Sequence, residues 1–515
     1  MAKASTRTTP SFICELALVV SPANEGVMLA RLEVARQMYN ACLGQAMKRV
    51  NLIQQSKDFN RARPIAPSNS QRKVLFKRAR ERYDFSQYAL HCFITYIRNS
   101  WIGNHIDANT AQKIASRAFN AAQKVLFGQA KKVRFKGKNQ FDSVEGKSNK
   151  LGIKWKGEAV EWSGLKLPAL ISRNDPIILH GLNSKVKYVR LVRRKINGYH
   201  WFYAQLVCHG KPFIKPKNFL GTGDVGSDIG SSTIAVVSDK QAQLQQFASE
   251  LEFEAARIRR LQRKIYRSCR ATNPGNHNPN GTVKKAKKKW NNSKTYFKTR
   301  NTKANLERKL AAHWKSLHGE LVNTILANGD TVKLEKLSYK AFQKLFGKSV
   351  GKCAPGMFVS HLKSKAERAG GQVVEIQTYS TKLSQTCQCG RVKKKQLCQR
   401  VHKRVCGIQM QRDLYSAFLA KHIQPDTFVL QVSQLVSDWH SAELRDRSFS
   451  EEAAWRTATE CTKPATGRIL PSSFGRYPEV EWVATEVFKK TSNIQDVVGE
   501  SREPGRGCLV KEPPG

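Results

Sequence analysis

The stretch Gly221–Lys240, GTGDVGSDIGSSTIAVVSDK, decides how this chain is read. Asp228 follows a short run of small and apolar residues, and the turn Gly230-Ser231-Ser232 leads from it straight into the strand-like TIAVV. That pattern predicts a hairpin at a sheet, with the Asp228 carboxylate beside the turn. Asp224, in the preceding Asp-apolar-Gly triplet, is the rival, but it would need a longer irregular link to the same strand. Downstream, Ala255 to Leu310 holds 18 Lys and Arg against one acidic residue, interleaved with Ile258, Leu261, Ile265, Tyr266, Trp290, Tyr296 and Phe297. A charge run is ordinarily a solvated helical face. Here like charges would repel along one helical hairpin, which favours contact with a polyphosphate.

Scarce carboxylates in such a basic chain invite a chemical reading. Hydrolysis of a phosphodiester without a covalent intermediate needs an activated water, a stabilised leaving oxygen and charge neutralisation at phosphorus. Two divalent ions about 3.5–4 Å apart supply all three when carboxylates from separate elements converge on them. Glu335 stands in TVKLEKLSY, a strand introduced by Asn328-Gly329-Asp330, with Val332 and Leu334 alternating onto the opposite face. Asp413 stands in QRDLYSAFLA, where it precedes a helical pattern as either cap or ligand. Taken singly, the three have ordinary roles as well: turn former, solvated strand residue and helix N-cap.

Upstream the texture differs. Phe12 to Val20 is short and strand-compatible, and Glu25 to Ile53 carries Met28, Leu29, Leu32, Val34, Met38 and Leu43 at helical spacing. Helical pattern continues through Gln71 to Ile106 and Ala108 to Phe127, where Gly128 is a stop signal. From about Leu151 the runs become short and β-like. The clearest is KYVRLVRRKI, then Asn197-Gly198, then YHWFYAQLVC, a hairpin signal. The expected organisation is a helical lobe with one strand over 1–150, a β-rich domain over 151–217, a mixed α/β domain with a basic helical insertion (255–310) over 218–425 and a weakly structured tail over 426–515, with one helix near Glu451.

The 515 residues carry 89 Lys and Arg against 39 Asp and Glu, a net charge of +50. This balance excludes an ordinary metabolic enzyme, and 40% hydrophobic residues exclude a disordered basic tail. The charge is uneven: the last 90 residues are net −3 and the rest net +53. No apolar run reaches the roughly 18–20 residues that span a bilayer, and MAKASTRTTPSF lacks the apolar core of a signal peptide. A cytoplasmic protein with no membrane partner is expected. Of 12 cysteines, only Cys387, Cys389, Cys398 and Cys406 cluster, which is no secreted disulfide framework.

The stretch TKLSQTCQCGRVKKKQLCQRVHKRVCGIQMQRDLYSAFLA resembles the C-terminal part of the TnpB family of transposon-encoded RNA-guided nucleases, relatives of miniature type V CRISPR effectors. DIGSSTIAVV looks like the first motif of that family's RuvC-like nuclease, LEKLSY with APGMF downstream like the second, and QRDLYSAFL like the third. With RAFNAAQKVLFGQAKKVRFKGK and the Arg-rich segment, the resemblance covers roughly residues 10 to 425. It implies a multidomain α+β protein with an RNase H-like (RuvC) α/β core, N-terminal helical recognition and β-rich wedge-like domains, and a zinc knuckle over 384–407. Asp228, Glu335 and Asp413 would be the catalytic residues and would hold two Mg²⁺. A structural zinc site takes four ligands. Cys387, Cys389 and Cys406 would supply three, with His402 or Cys398 as fourth, since Arg404 stands where the family carries a cysteine. The alternative is a knuckle that packs without metal.

The resemblance further implies a guide RNA from the transposon end and a double-stranded DNA target as partners, with a separate transposase of the same element as another. In such effectors base pairing reads the target while the protein reads backbone shape and a short flanking motif. Arg257, Arg259, Arg260, Arg263, Lys264, Arg267, Lys287, Lys288 and Lys289 would then track the nucleic acid, with Tyr266, Trp290 or Tyr296 available for stacking. Two rival readings stand beside the guided endonuclease: a guide-dependent DNA-binding regulator that does not cut, and a plain RNase H-like DNA transposase.

Overall fold

The computed structural model describes residues 10–246, 252–285, 288–345, 347–387, 389, 391–394, 401–403, 409–424 and 430–431. The chain divides into compact units Met1–Thr462 and Lys463–Gly515, and the second lies outside the described residues, as does the helix expected near Glu451.

The first strand, β1 (Ser11–Leu18), alternates strictly, burying Phe12, Cys14, Leu16 and Leu18. Ser21 then caps α1 (Pro22–Gln55) by accepting from the Asn24 N–H, and Pro22 occupies the position where its missing N–H costs nothing. A stripe of Met28, Leu32, Ala35, Met38, Cys42, Ala46, Val50 and Ile53 faces the core. The helices α2 (Lys57–Ala62), α3 (Ser70–Arg82) and α4 (Gln87–Arg98) follow, the last two separated where Asp84 takes a positive φ of 49°. Asp107 caps α5 (Ala108–Leu126) and also accepts from Trp162 Nε1 at 2.9 Å.

The strands β2 (Ser143–Glu145), β3 (Lys154–Lys156), β4 (Ala159–Trp162) and β5 (Leu165–Leu170) precede the short α6 (Pro176–Leu182). The hairpin β6 (Val186–Ile196) and β7 (Tyr199–His209) turns through Asn197 and Gly198, both at positive φ, which matches strand twist in a two-residue loop. These strands and β1 make one seven-stranded sheet in the order β2-β6-β7-β1-β5-β4-β3. The expected boundary at residue 150 therefore does not separate two cores. A lone strand has nothing to pair with in a helical lobe, and β1 is instead the strand that joins the two halves of this sheet. Arg31 of α1 fastens the helices to it: its guanidinium donates to the carbonyls of Trp162 and Ser163 at 2.7 Å each and lies over the Trp162 ring.

A second sheet begins with β8 (Asp224–Ile229), β9 (Thr233–Val237) and β10 (Ala242–Gln246), antiparallel neighbours. A helical pair, α7 (Glu252–Thr272) and α8 (Lys294–Asn328), leads to β11 (Thr331–Glu335). Then come α9 (Tyr339–Leu345), α10 (Gly347–Cys353), α11 (Pro355–Ala369), β12 (Gln372–Ile376) and the single turn α12 (Thr378–Thr381). The hairpin β13 (Val401–Lys403) and β14 (Gln409–Gln411) runs into α13 (Arg412–Lys421). The sheet order is β10-β9-β8-β11-β12, with β11 parallel to both β8 and β12.

Strand alternation gives this sheet two unlike faces. Val225, Ile229, Ile234, Val236, Val332 and Leu334 pack against Val322, Ile325 and Leu326 of α8 and Phe358, Val359 and Leu362 of α11. The other face carries Asp224, Gly226 and Asp228 of β8, Ala235 and Val237 of β9, and Lys333 and Glu335 of β11, and α13 lies against it. Among the described residues no helix is long and apolar enough to cross a membrane.

Candidate active site

The face under α13 brings the three sequence-selected carboxylates together. Parallel pairing of Lys333 with Gly226 and of Leu334 with Ser227 carries Glu335 level with Asp228 at the C-terminal ends of the two strands. The third carboxylate arrives on the first turn of α13. Gln411, not Asp413, caps that helix: its side chain accepts from the Leu414 N–H at 2.8 Å, and Asp413 lies in the first turn near enough for its charge to act on Asp228. Arg412 Nε stands 3.3 Å from the Asp413 Oδ1.

Gly226 sets how near α13 comes. A Cβ at that position would run into the Ala417 carbonyl oxygen and the Lys421 amide nitrogen. Only glycine lets a helix backbone rest so closely on a strand. Nothing in the Asp-Val-Gly triplet distinguishes this glycine from a turn former until α13 is seen above it.

Asp224, the rival carboxylate, sits two pleats away and has another partner. Lys333 is 2% exposed; its Nζ donates to Asp224 Oδ2 at 2.7 Å and to the Lys421 carbonyl at 2.8 Å. This buried cation ties β8, β11 and the C-terminal end of α13 into one body. A second pair, Lys421 with Asp239, braces the same end.

Crowding of like charge shows in the acid–base behaviour. Burial first, then the negative charges of Asp413 and Glu335, push the Asp228 carboxyl well above the usual carboxylate range, while Arg412 and the Ser416 hydroxyl oppose them. Burial alone raises Glu335 to about 7. Three carboxylates on one half-buried face, two of them held toward the neutral form, make a site in which added positive charge is strongly favoured. The donors are all oxygen, the set suited to a hard cation such as Mg²⁺. Among the described residues, no three His, Cys, Asp or Glu side chains form a group already closed enough to hold a metal ion.

The cysteine cluster is described in part. Cys387 is fully buried in the core under α13, its N–H donating to the Arg391 carbonyl at 3.0 Å, and Cys389 is exposed. His402 is buried on β13 with its ring 3.9 Å from that of Tyr415. Cys398 and Cys406 lie outside the described residues.

On α7, Arg257, Arg259, Arg260, Arg263, Lys264 and Arg267 are exposed, and none is paired with a carboxylate among the described residues. Tyr266 is exposed between them, whereas Ile265 is the buried contact. At the far end of the pair, Lys289 is exposed, Lys288 half-buried, and Trp290 meets His277 edge-on at 5.8 Å. Lys287 lies outside the described residues. The Asn273 side chain pins this end by exchanging hydrogen bonds with the Asn291 N–H and carbonyl at 2.7 and 2.6 Å.

Residues 356–419 match the protein family Cas12f1-like, TNB domain. That span runs from α11 through the cysteine cluster into α13, so it ends on the helix that carries Asp413. Two solved structures are similar at 11% identity. One is a cryo-EM structure of the Cas12f1-sgRNA-target DNA complex, covering 79% of this chain and 98% of that one with a TM-score of 0.39. The other is a cryo-EM structure of a CRISPR-Cas12f ternary complex, covering 79% and 83% with a TM-score of 0.29. No curated protein matches the chain.

Proposed function

We propose that this protein is an RNA-guided DNA endonuclease of the TnpB and Cas12f kind, encoded by an insertion sequence, with an RNase H-like nuclease core. The observation that carries the proposal is the convergence of Asp228, Glu335 and Asp413, far apart in sequence, on the one face of the second sheet that α13 covers. The family match over residues 356–419 supports it, because it begins downstream of the second of these carboxylates and includes the third.

Asp228, Glu335 and Asp413 would hold two Mg²⁺, which when bound neutralise charge at phosphorus and supply an activated water. The chain's own part is positional. The buried Lys333–Asp224 pair and the close seat over Gly226 keep α13, and hence Asp413, at a set distance from Asp228. Arg412 beside Asp413 adds positive charge next to the position a phosphodiester would take. Cys387, Cys389 and Cys406, with His402 or Cys398, would hold one structural Zn²⁺ just before α13. The exposed guanidiniums of α7 would grip the guide RNA or its heteroduplex by the sequence-independent phosphate attraction.

A second reading, guided DNA binding without cutting, rests on Arg404 standing where the family carries a cysteine, because a knuckle altered just before α13 would misplace Asp413. One experiment separates the two. The protein is purified from its host and its bound nucleic acid sequenced, and a DNA target matching the guide is incubated with it in Mg²⁺. A single structured RNA with a short variable end, together with cleavage that Asp228→Ala abolishes, supports the endonuclease. Binding of the same target without any cleavage supports the second reading, and absence of an enriched RNA sinks both.

A further inference from the structure

Away from the carboxylates, the N-terminal lobe contains a cavity of about 210 Å³ where the C-terminal ends of α1 and α5 meet α2 and α3. Its walls combine two chemistries. Phe59 and Phe76 pack tilted with ring centroids 5.3 Å apart, and Phe127, 50% exposed, stands at the mouth. Arg63, Arg72 and Arg80 line it as well, and no acidic residue does. Arg72 is already oriented, donating to the Ile65 carbonyl at 2.8 Å and lying over the Phe76 ring. Arg80 Nε is buried with no hydrogen-bond partner, and Arg63 is exposed with no carboxylate against it among the described residues.

Among the described residues no carboxylate pairs with any of these three guanidiniums, and together with the three phenyl rings they define a ligand that is anionic at one end and flat at the other. A bare phosphate would leave the phenyl walls unused, and a purely apolar guest would leave the buried Arg80 nitrogen unsatisfied. A base stacked on phenyl or guanidinium planes, with its phosphate taken by arginine, satisfies both. We propose that the cavity binds one unpaired nucleotide of a nucleic-acid strand, base against the phenylalanines and phosphate on Arg63 and Arg80. This site lies apart from the carboxylates, so its failure would leave the cleavage proposal intact.

The test uses the full-length protein and 5′-phosphorylated single strands bearing 5-iodouracil in the terminal nucleotide, one set RNA and one DNA. After irradiation, crosslinked peptides are mapped by mass spectrometry. A crosslink to Phe59, Phe76 or Phe127 is expected, and the better of the two strands identifies the sugar. A free mononucleotide should compete at least about fivefold better than inorganic phosphate or the nucleoside alone, the discrimination expected of one stacked base. Arg63→Gln, at an exposed position that leaves the core untouched, and Phe76→Leu should each lower this crosslink about fivefold or more, with crosslinks elsewhere unchanged. Phe76→Tyr should retain it. Absence of any crosslink in the cavity with both strands, equal competition by inorganic phosphate, or an unchanged yield in Arg63→Gln would each overturn the proposal.

Discussion

Replacing Glu335 by Gln should make the metal-free protein more stable while removing its response to divalent metal. Burial lifts the Glu335 carboxyl from 4.5 to about 7, so above neutral pH the folded chain holds a charge that the unfolded chain carries freely in water. At 1.36 kcal/mol per pH unit, this costs about 3 kcal/mol near pH 8. The sign follows from the raised value. The folded state binds the extra proton between 4.5 and about 7, so this group favours folding most below 4.5 and that advantage is lost as pH rises through 7. Gln keeps the shape without the charge. In thermal melts with chelator, the variant should gain roughly 6–12 °C over the parent near pH 8, taking about 2–4 °C per kcal/mol for the roughly 200 residues from β8 to α13 unfolding together, and nothing near pH 4. Adding Mg²⁺ or Mn²⁺ should raise the parent's melting temperature by mass action and leave the variant's unchanged. A variant no more stable than the parent at pH 8, or a gain independent of pH, would refute the argument that Glu335 is held under charge strain.

Other outcomes follow from neighbouring residues. Gly226→Ala should lift α13 from β8, cost about 3 kcal/mol or more because both obstructing atoms are backbone, and abolish cleavage, measured by denaturant unfolding and a plasmid-cutting assay. The Lys333–Asp224 pair should respond asymmetrically in the same unfolding assay. Asp224→Asn strands a buried ammonium and should cost about 3–5 kcal/mol, whereas Lys333→Met leaves a carboxylate that is 43% exposed and should cost less. Elemental analysis should find about one zinc per chain, and its loss in Cys387→Ser but not in Cys398→Ser would make His402 the fourth ligand. Charge removal at Arg259, Arg263 and Arg267 together should weaken RNA binding and reduce the slope of log affinity against log salt by up to about 2–3, the sign of lost phosphate contacts.

Much of the local structure was legible in the chain itself. Asn197-Gly198 announces its turn, because residues tolerant of positive φ act on their immediate neighbours, whereas the caps at Ser21 and Asp107 emerged only with the structure. The hairpin after Asp228 and the strand ending at Glu335 follow from alternation in the same way. The place of β1 did not: a strand that pairs with β7, nearly two hundred residues away, carries no local mark of its partner. Nor did the fate of Asp224, since nothing near it in sequence shows that Lys333 lies across the sheet.

Residue types, the strong positive charge and the three carboxylates at the ends of recognisable elements can be read along the chain. Which of them act on one another depends on how the chain packs. Parallel register set Glu335 beside Asp228, Gln411 took the cap that Asp413 could have occupied, and Gly226 let α13 settle against the strand. Propensity and periodicity are properties of neighbours along the chain, whereas mutual charge repulsion is a property of distance in space.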